Sequence, residues 1–278
     1  MKTLRLTTCL KYPQLPQNLQ PLVNQLSNDF KVEITPWQTT AQSDVILPLC
    51  AWDYAEQPEL FQQWLRKMSA QGAVFLNSIA LMQWNMNKRY LVDLQQWGID
   101  VIPSQILPAD PKVLQQTLLQ QGWQDVVIKP VIGQSGRFVQ KVCKNQPLVE
   151  LEHYQSGIIL QPYIPEVASN GETSLIFFGG EFSHSIKRQP AENEWRANSA
   201  YGVQISAQKV SESIIQQAQN VLTTLPEMPN YVRVDGTIIG ERFLLNELEL
   251  IEPALYLDKQ DKVVQHFADM IRKVIQAV

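Results

Sequence analysis

Apolar positions in this chain switch between two spacings, and the switches divide it into regions. Up to about residue 85, short apolar runs alternate with helical stripes. Residues 4–8, 32–36, 44–49 and 73–76 read as strands. Residues 17–30 and 58–70 read as helices, the second with Leu60, Phe61, Trp64, Leu65 and Met68 at helical spacing. Strand and helix in turn predict a small parallel sheet covered by helices. The pattern is helical from Ser78 to Trp97, a stretch that includes Asn87-Lys88-Arg89-Tyr90. Residues 101–107 follow as a strand and 110–121 as a helix stopped by Gly122. Strands are then expected at 126–130, at 158–162, and in a hairpin turned by Gly179-Gly180. Helices are expected at 211–225 and 261–278.

One hairpin combines a core face with a charged one. In Tyr231–Glu252, YVRVDGTIIGERFLLNELELIE, two β-rich runs flank Gly240-Glu241. Alternation puts Val232, Val234, Leu248 and Leu250 on one face and Arg233, Asp235, Glu247 and Glu249 on the other. Folding about Glu241 sets Asp235 opposite Glu247 and Arg233 opposite Glu249. Three carboxylates there repel one another unless a cation sits among them, and hard oxygens of this kind suit Mg²⁺. A solvated acidic face is the plainer reading of the same residues. A one-residue slip would bring Asn246 into the cluster.

A second constellation begins at the strand Val126-Val127-Ile128-Lys129-Pro130, which runs into a loop containing Gly133, Ser135, Gly136 and Arg137. Glycines let backbone N–H groups approach an anion, and a lysine adds a point charge, a pairing that suits phosphate. The glycine spacing is not that of a P-loop, and a hairpin with a mobile tip is the bland alternative. The polar stretch 189–201, with Trp195-Arg196-Ala197-Asn198, is a recognition-loop candidate. Ala51-Trp52-Asp53-Tyr54 stands at a strand's carboxyl end, where α/β sheets bind ligands.

Composition narrows the classes. With 278 residues, 45% of them hydrophobic, the chain can build two or three subdomains with a substantial core. A net charge of −4 gives no footprint for nucleic acid, so an anionic substrate requires a local basic pocket. No apolar run is long enough to span a membrane, and the first residues lack a signal-peptide pattern. Cys9, Cys50 and Cys143 have no metal-ligand spacing and read as free thiols in a reducing cytoplasm.

In this order, from a lysine near residue 88 through strand-Lys-Pro, a glycine loop, a hinge strand, R-x-D and paired acids, the pieces resemble the ATP-grasp superfamily over residues 80–278. The resemblance implies an α/β amino-terminal domain (1–85) and two α+β lobes (86–156 and 157–278) that enclose ATP. It implies that Lys88 and Lys129 contact phosphates under the loop carrying Gly133, Ser135 and Gly136. Gln161, with the backbone at Tyr163 and Ile164, would meet adenine, and Glu172 the ribose. Asp235, Glu247 and Glu249 would hold Mg²⁺ (or Mn²⁺), with Arg233 toward the transferred phosphate. Trp195-Arg196-Ala197-Asn198 is similar to an F-R-x-N element of the glutathione synthetase and glutamate-adding ligase branch. GETSLIFFGGEFSHSIKR and LNELELIEP look closer still to O-ureido-serine cyclo-ligases. That likeness implies Lys187, Arg188, Arg196 and Asn198 at the acceptor or acylphosphate site. The chain departs from the common Glu-x-Asn with Glu247-Leu248-Glu249.

The implied activity is ADP-forming carboxylate–amine ligation through an acylphosphate, on small-molecule carboxylate and amine substrates, with no nucleic-acid or membrane partner. A homodimer is compatible with it. A phosphotransferase and a non-catalytic nucleotide-binding protein are the rival readings. His184 stands as either a proton acceptor for the amine or a structural strand residue.

Overall fold

The computed structural model describes residues 1–143 and 150–277. Strand–helix alternation in the first quarter builds the expected parallel sheet. Its elements are β1 (Thr3–Thr8), α1 (Gln20–Leu26), β2 (Lys31–Pro36), β3 (Val45–Leu47), α2 (Pro58–Ala70) and β4 (Val74–Phe75), with strand order β2-β1-β3-β4.

The helical stretch after Ser78 differs from expectation. It is two helices, α3 (Ile79–Asn85) and α4 (Tyr90–Gln96), and Lys88 lies in the break. The cause is long-range. The Lys88 amide leaves the helical ladder to donate to the carbonyl of Val131 (2.7 Å), while the Asn87 side chain accepts from the Arg89 amide (2.9 Å).

A second sheet follows, built from β5 (Gln105–Leu107), β6 (Asp125–Pro130), β7 (Gln140–Cys143) and β8 (Ile158–Pro162), in the order β5-β8-β6-β7. Helix α5 (Pro111–Gln121) packs on it, capped by Asp110 and ended by Gly122 at φ 70°. Because β8 pairs with β5 and β6, the central sheet continues to Pro162, past the expected division at 156.

After α6 (Pro165–Asn170), the third sheet takes β9 (Glu172–Phe178), β10 (Glu181–Gln189), β11 (Gln204–Gln208), β12 (Tyr231–Ile239) and β13 (Arg242–Glu249), ordered β11-β10-β9-β12-β13. One face of this sheet packs under α7 (Glu212–Thr223), through Val232, Val234 and Leu248. The other face divides. Ile176, Phe178, Ile186 and Tyr231 join α8 (Val263–Gln276), α1, β1 and β3 in a core shared by the amino-terminal domain and the carboxyl-terminal lobe. Glu172, Arg188, Arg233, Asp235, Glu247 and Glu249 make another part of that face charged.

The β12–β13 register is the expected one, Asp235 opposite Glu247 and Arg233 opposite Glu249. One residue further the ladder shifts, because Gly236 pairs with Leu245 and leaves Asn246 as an inserted bulge residue. A Cβ on Gly236 would lie 2.6 Å from both the Leu244 carbonyl oxygen and the Phe243 ring, so the bulge needs glycine there. The bulge turns Asn246 onto the charged face beside Glu247.

Three free cysteines are present, and no helix among the described residues is long and apolar enough to cross a membrane.

Candidate active site

The charged face of the third sheet forms one wall of a narrow cleft. Lys88, Lys129, Gly133, Ser135, Gly136, Glu172, Arg188, Arg196, Asn198 and Glu247 all line it, so residues singled out across 160 positions of sequence converge here. Asn246, Arg137 and Trp195 line it as well.

Several long-range bonds fix the wall. Tyr90 accepts from the Leu248 amide (2.9 Å), and Asn85 accepts from the Leu250 amide (3.0 Å) and donates to the Leu248 carbonyl (2.8 Å). Side chains of α3 and α4 therefore satisfy the free edge of β13, and Lys88 between those helices is delivered to Glu247. Lys129, at the end of β6, donates to Asn246 Oδ1 (2.8 Å), and Asn246 in turn donates to Glu172.

The carboxylates do not stand together as a bare triad. Among the described residues no three metal-binding side chains are gathered as an ion-holding group. Each is interleaved with cations: Asp235 with Arg188 and Arg233 (2.8 Å each), Glu249 with Arg233, Glu247 with Lys88, and Glu172 with Arg188 (2.7 Å). Burial is the reason, since a desolvated carboxylate must take a counter-charge or a proton. Asp235 is fully enclosed by its two arginines, whereas the Glu247 and Glu249 side chains each keep 27% exposure, Glu247 on this cleft and Glu249 on the pockets beside it. Neutralisation is incomplete. Burial, with Asp235 and Glu247 nearby, pushes Glu249 up to about 7 against the pull of Arg233. Burial and Glu249 push Glu252 well above the usual carboxylate range. The donor set is hard oxygen with surplus negative charge, and it fits a hard divalent cation.

The glycine loop closes over this wall. Gly136 (φ 69°) lies so near Asn198 that a Cβ would come within 2.6 Å of its Oδ1. Ser135 (φ 55°) and Phe138 (φ 57°) also hold left-handed conformations, strain of a kind concentrated in ligand clamps. Tyr201 donates to the Gly136 carbonyl (3.2 Å), and Arg137 pairs with Glu56 of the amino-terminal domain, which also holds Lys11 (2.7 Å). Arg196 is held by Glu194 (2.8 and 3.0 Å) and lies 3.5 Å from the centre of the Tyr201 ring. That pairing drives Glu194 down to about 2.

A narrower apolar slot adjoins the cleft through Lys129, Val167, Trp195 and Asn246, and is walled by Ile102, Val127, Gln161, Pro162, Tyr163 and Ile164. Gln161 donates to Ser104 (2.9 Å), which leaves its Oε1 as an acceptor.

Lys187 lies elsewhere, Arg233, Asp235 and Glu249 stand beside the cleft rather than on its lining, and of the two readings of His184 the structural one holds. Lys187 is on the opposite face of β10 from Arg188, because neighbours on a strand point to opposite sides, and it lines neither the cleft nor the slot. His184 is buried on β10 and donates from Nε2 to the Leu255 carbonyl (2.9 Å). Burial lowers it to about 4, so it is a neutral structural residue.

Two lobes closing a glycine loop over a lysine-lined cleft with a carboxylate floor define the ATP-grasp architecture. Solved structures show the same fold. The crystal structure of D-cycloserine synthetase DcsG superposes with a TM-score of 0.83 at 22% identity, covering 98% of this chain and 99% of that one. D-alanine–D-alanine ligase from Bacillus anthracis gives 0.69 at 13% identity, covering 99% and 97%. Residues 92–269 match the prokaryotic glutathione synthetase ATP-grasp domain, and residues 4–77 match the N-terminal domain of D-cycloserine synthetase DcsG. The chain belongs to the glutathione synthetase ATP-grasp family. Its relatives include the cycloserine biosynthesis protein DcsG of Streptomyces lavendulae, 29% identical over 147 residues, or 49% of each chain. Glutathione synthetase of Vibrio parahaemolyticus is 25% identical over 195 residues, 68% of this chain and 59% of that protein. In these two alignments the chain spans about half to three-fifths of the relative's length.

Proposed function

We propose that the chain is an ATP-dependent, ADP-forming carboxylate–amine ligase acting on a small amino-acid or peptide-like substrate through an acylphosphate. The observation that carries this reading is the convergence of Lys88, Lys129, the glycine loop and Glu247 with Arg188, Arg196 and Asn198 in one cleft. Family membership and the three free thiols are in keeping with an ATP-using enzyme of the cytoplasm.

In this reading the apolar slot takes adenine, with Gln161 Oε1 accepting from its amino group and Tyr163 and Ile164 along the ring. Glu172, on the cleft wall beside Asn246, meets the ribose. Lys88, Lys129 and the backbone N–H groups of the 133–136 loop bind the phosphates. Glu247 and Glu249 are the carboxylates open to Mg²⁺, with Asp235 and Asn246 beside them. When bound, the ion neutralises charge on the transferring phosphate.

The obstacle to the first step is repulsion between an anionic carboxylate and ATP. Arg188 and Arg233 hold the carboxylate, and with the lysines they lower that repulsion in a preorganised site. A carboxylate oxygen then attacks the γ-phosphorus as the bond to the ADP oxygen breaks. In the second step the amine nitrogen attacks the acyl carbon, phosphate leaves with the bonding pair, and the nitrogen releases a proton. Arg196 and Asn198 face the acylphosphate. No side chain serves as a nucleophile, so alignment of the reactants supplies much of the rate.

Coupled measurement of ADP and phosphate release with ATP and pairs of amino acids tests the reading. Turnover should require both an acid and an amine, and Glu247→Gln should abolish it while leaving the fold intact. A stable phosphorylated product formed without an amine would make the protein a phosphotransferase. MgADP stabilisation with no turnover on any pair would make it a binding protein.

A further inference from the structure

Beside the ATP cleft lies a larger, more open one, lined by Lys11, Tyr12, Trp52 and Glu56 from the amino-terminal domain and by Arg188, Arg233, Glu252 and Tyr256 from the carboxyl-terminal lobe. It shares Arg188, Arg137 and Asn198 with the first, so a reactant held here reaches the same arginines. Its charges are separated. Arg188 and Arg233 stand on the sheet, and the Arg188 Nε–H is buried without an acceptor among the described residues. Glu252 stands on the segment that leaves β13.

Glu252 differs from every other carboxylate of this wall. Glu172, Asp235, Glu247 and Glu249 each hold a lysine or an arginine. The Glu252 carboxylate has neither an ion-pair partner nor a side-chain hydrogen bond among the described residues, although it faces two clefts. Its backbone is fixed with care. Tyr231 donates to the Ile251 carbonyl (2.8 Å), Trp52 to that of Glu252 (3.4 Å), Arg233 to that of Ala254 (3.2 Å) and His184 to that of Leu255 (2.9 Å). Tyr256 is held at φ 51°, a left-handed conformation that a tyrosine takes only under constraint. These contacts hold the Glu252 carboxyl in the cleft that Trp52 and Tyr256 also line. Burial favours its neutral form in the empty cleft, an entering cation favours the charged one, and aromatic faces attract cations.

We propose that Glu252, walled by Trp52 and Tyr256, is an ammonium-binding subsite. The first substrate would then be a zwitterionic amino acid whose ammonium group lies at Glu252 and whose carboxylate lies at Arg188 and Arg233. This rests on the ligase reading for the chemistry that follows, but the binding itself is separable from turnover.

The test uses wild type and Glu252→Gln, which keeps the side-chain volume. Each is titrated, with MgADP present, with a panel of amino acids and with their 2-hydroxy acid counterparts, by thermal shift and by calorimetry. At least one amino acid should bind wild type, its hydroxy acid should bind on the order of 10- to 100-fold more weakly, and E252Q should lose that preference. MgADP affinity should be the same in both proteins. Equal binding of amino and hydroxy acids, equal amino-acid binding by E252Q, or no binding by wild type overturns the proposal. A fall in MgADP affinity in E252Q also overturns it, since Glu252 would then belong to the metal. Selective amino-acid binding through Glu252 without ADP release would sink the ligase reading and leave the subsite standing. ADP release with an amino-acid KM unchanged in E252Q would do the reverse.

Discussion

Lys129 offers a perturbation whose two consequences run in opposite directions. Its ammonium group donates to Asn246 Oδ1 at 2.8 Å and forms no ion pair among the described residues. Burial holds its pKa below the usual lysine value, with Glu247 and Glu172 pulling up and Lys88 pulling down. A charge kept in such a place costs the protein stability unless an anion arrives. Replacing it in Lys129→Met removes the cost and one neutral-acceptor hydrogen bond together, so the ligand-free protein should unfold within about 1 kcal/mol of wild type. Below the folded pKa the burial cost is full. It fades as pH rises toward the unfolded value of 10.5, so wild type should gain stability relative to K129M over that interval. Nucleotide binding should respond the other way. Loss of one charge-assisted contact to phosphate costs roughly 1.5–3 kcal/mol, which weakens MgADP binding roughly 10- to 150-fold. Calorimetry with MgADP measures the second effect and chemical denaturation the first. A Kd within twofold of wild type would refute the assignment of Lys129 to phosphate. A large fall in ligand-free stability would show that its role is structural.

Glu249 is raised to about 7 from 4.5, so the folded state retains a proton that the unfolded state has lost. Ligand-free stability should therefore fall as pH rises from about 4.5 to 7, and thermal denaturation of Glu249→Gln should show a shallower slope, Glu252 supplying part of the remainder; parallel profiles would contradict the shift. The Arg137–Glu56 pair is partly exposed on both sides and contributes no more than about 1 kcal/mol. Arg137→Ala should thus speed nucleotide release by up to about fivefold, read by stopped-flow fluorescence, and an unchanged rate would mean that the pair does not hold the loop. Gly236→Ala should destabilise by about 1–3 kcal/mol, because the new methyl meets the Leu244 carbonyl and the Phe243 ring; an unchanged urea midpoint would place the bulge elsewhere.

What could be read in advance follows from how local each determinant is. The β12–β13 register was legible because two-residue alternation and the Gly240 turn constrain the same pairing from independent directions. The break between α3 and α4 was not, since apolar spacing runs through it and the Lys88 amide is drawn out by Val131, more than 40 residues away. The edge strand β11 went unmarked because its residues are largely exposed and carry little hydrophobic signal. Lys187 is a different case. Strand alternation already forbids it from sharing a face with Arg188, so the motif suggested what the backbone excludes.

Asn246 and Glu252 show why a site's last residues escape pattern reading. Asn246 falls on the apolar side of a regular strand and reaches the charged side only because one bulge shifts the ladder, and Gly236 permits that bulge from the opposite strand. Glu252 lies beyond the strand, where alternation no longer predicts a face. Its meaning comes from what it lacks, since four neighbouring carboxylates have taken Lys88, Arg188 and Arg233. Sequence displays the acids and bases but not their pairing. In a buried cluster the pairing determines function, because the group left without a partner inside the protein is the one available to a ligand.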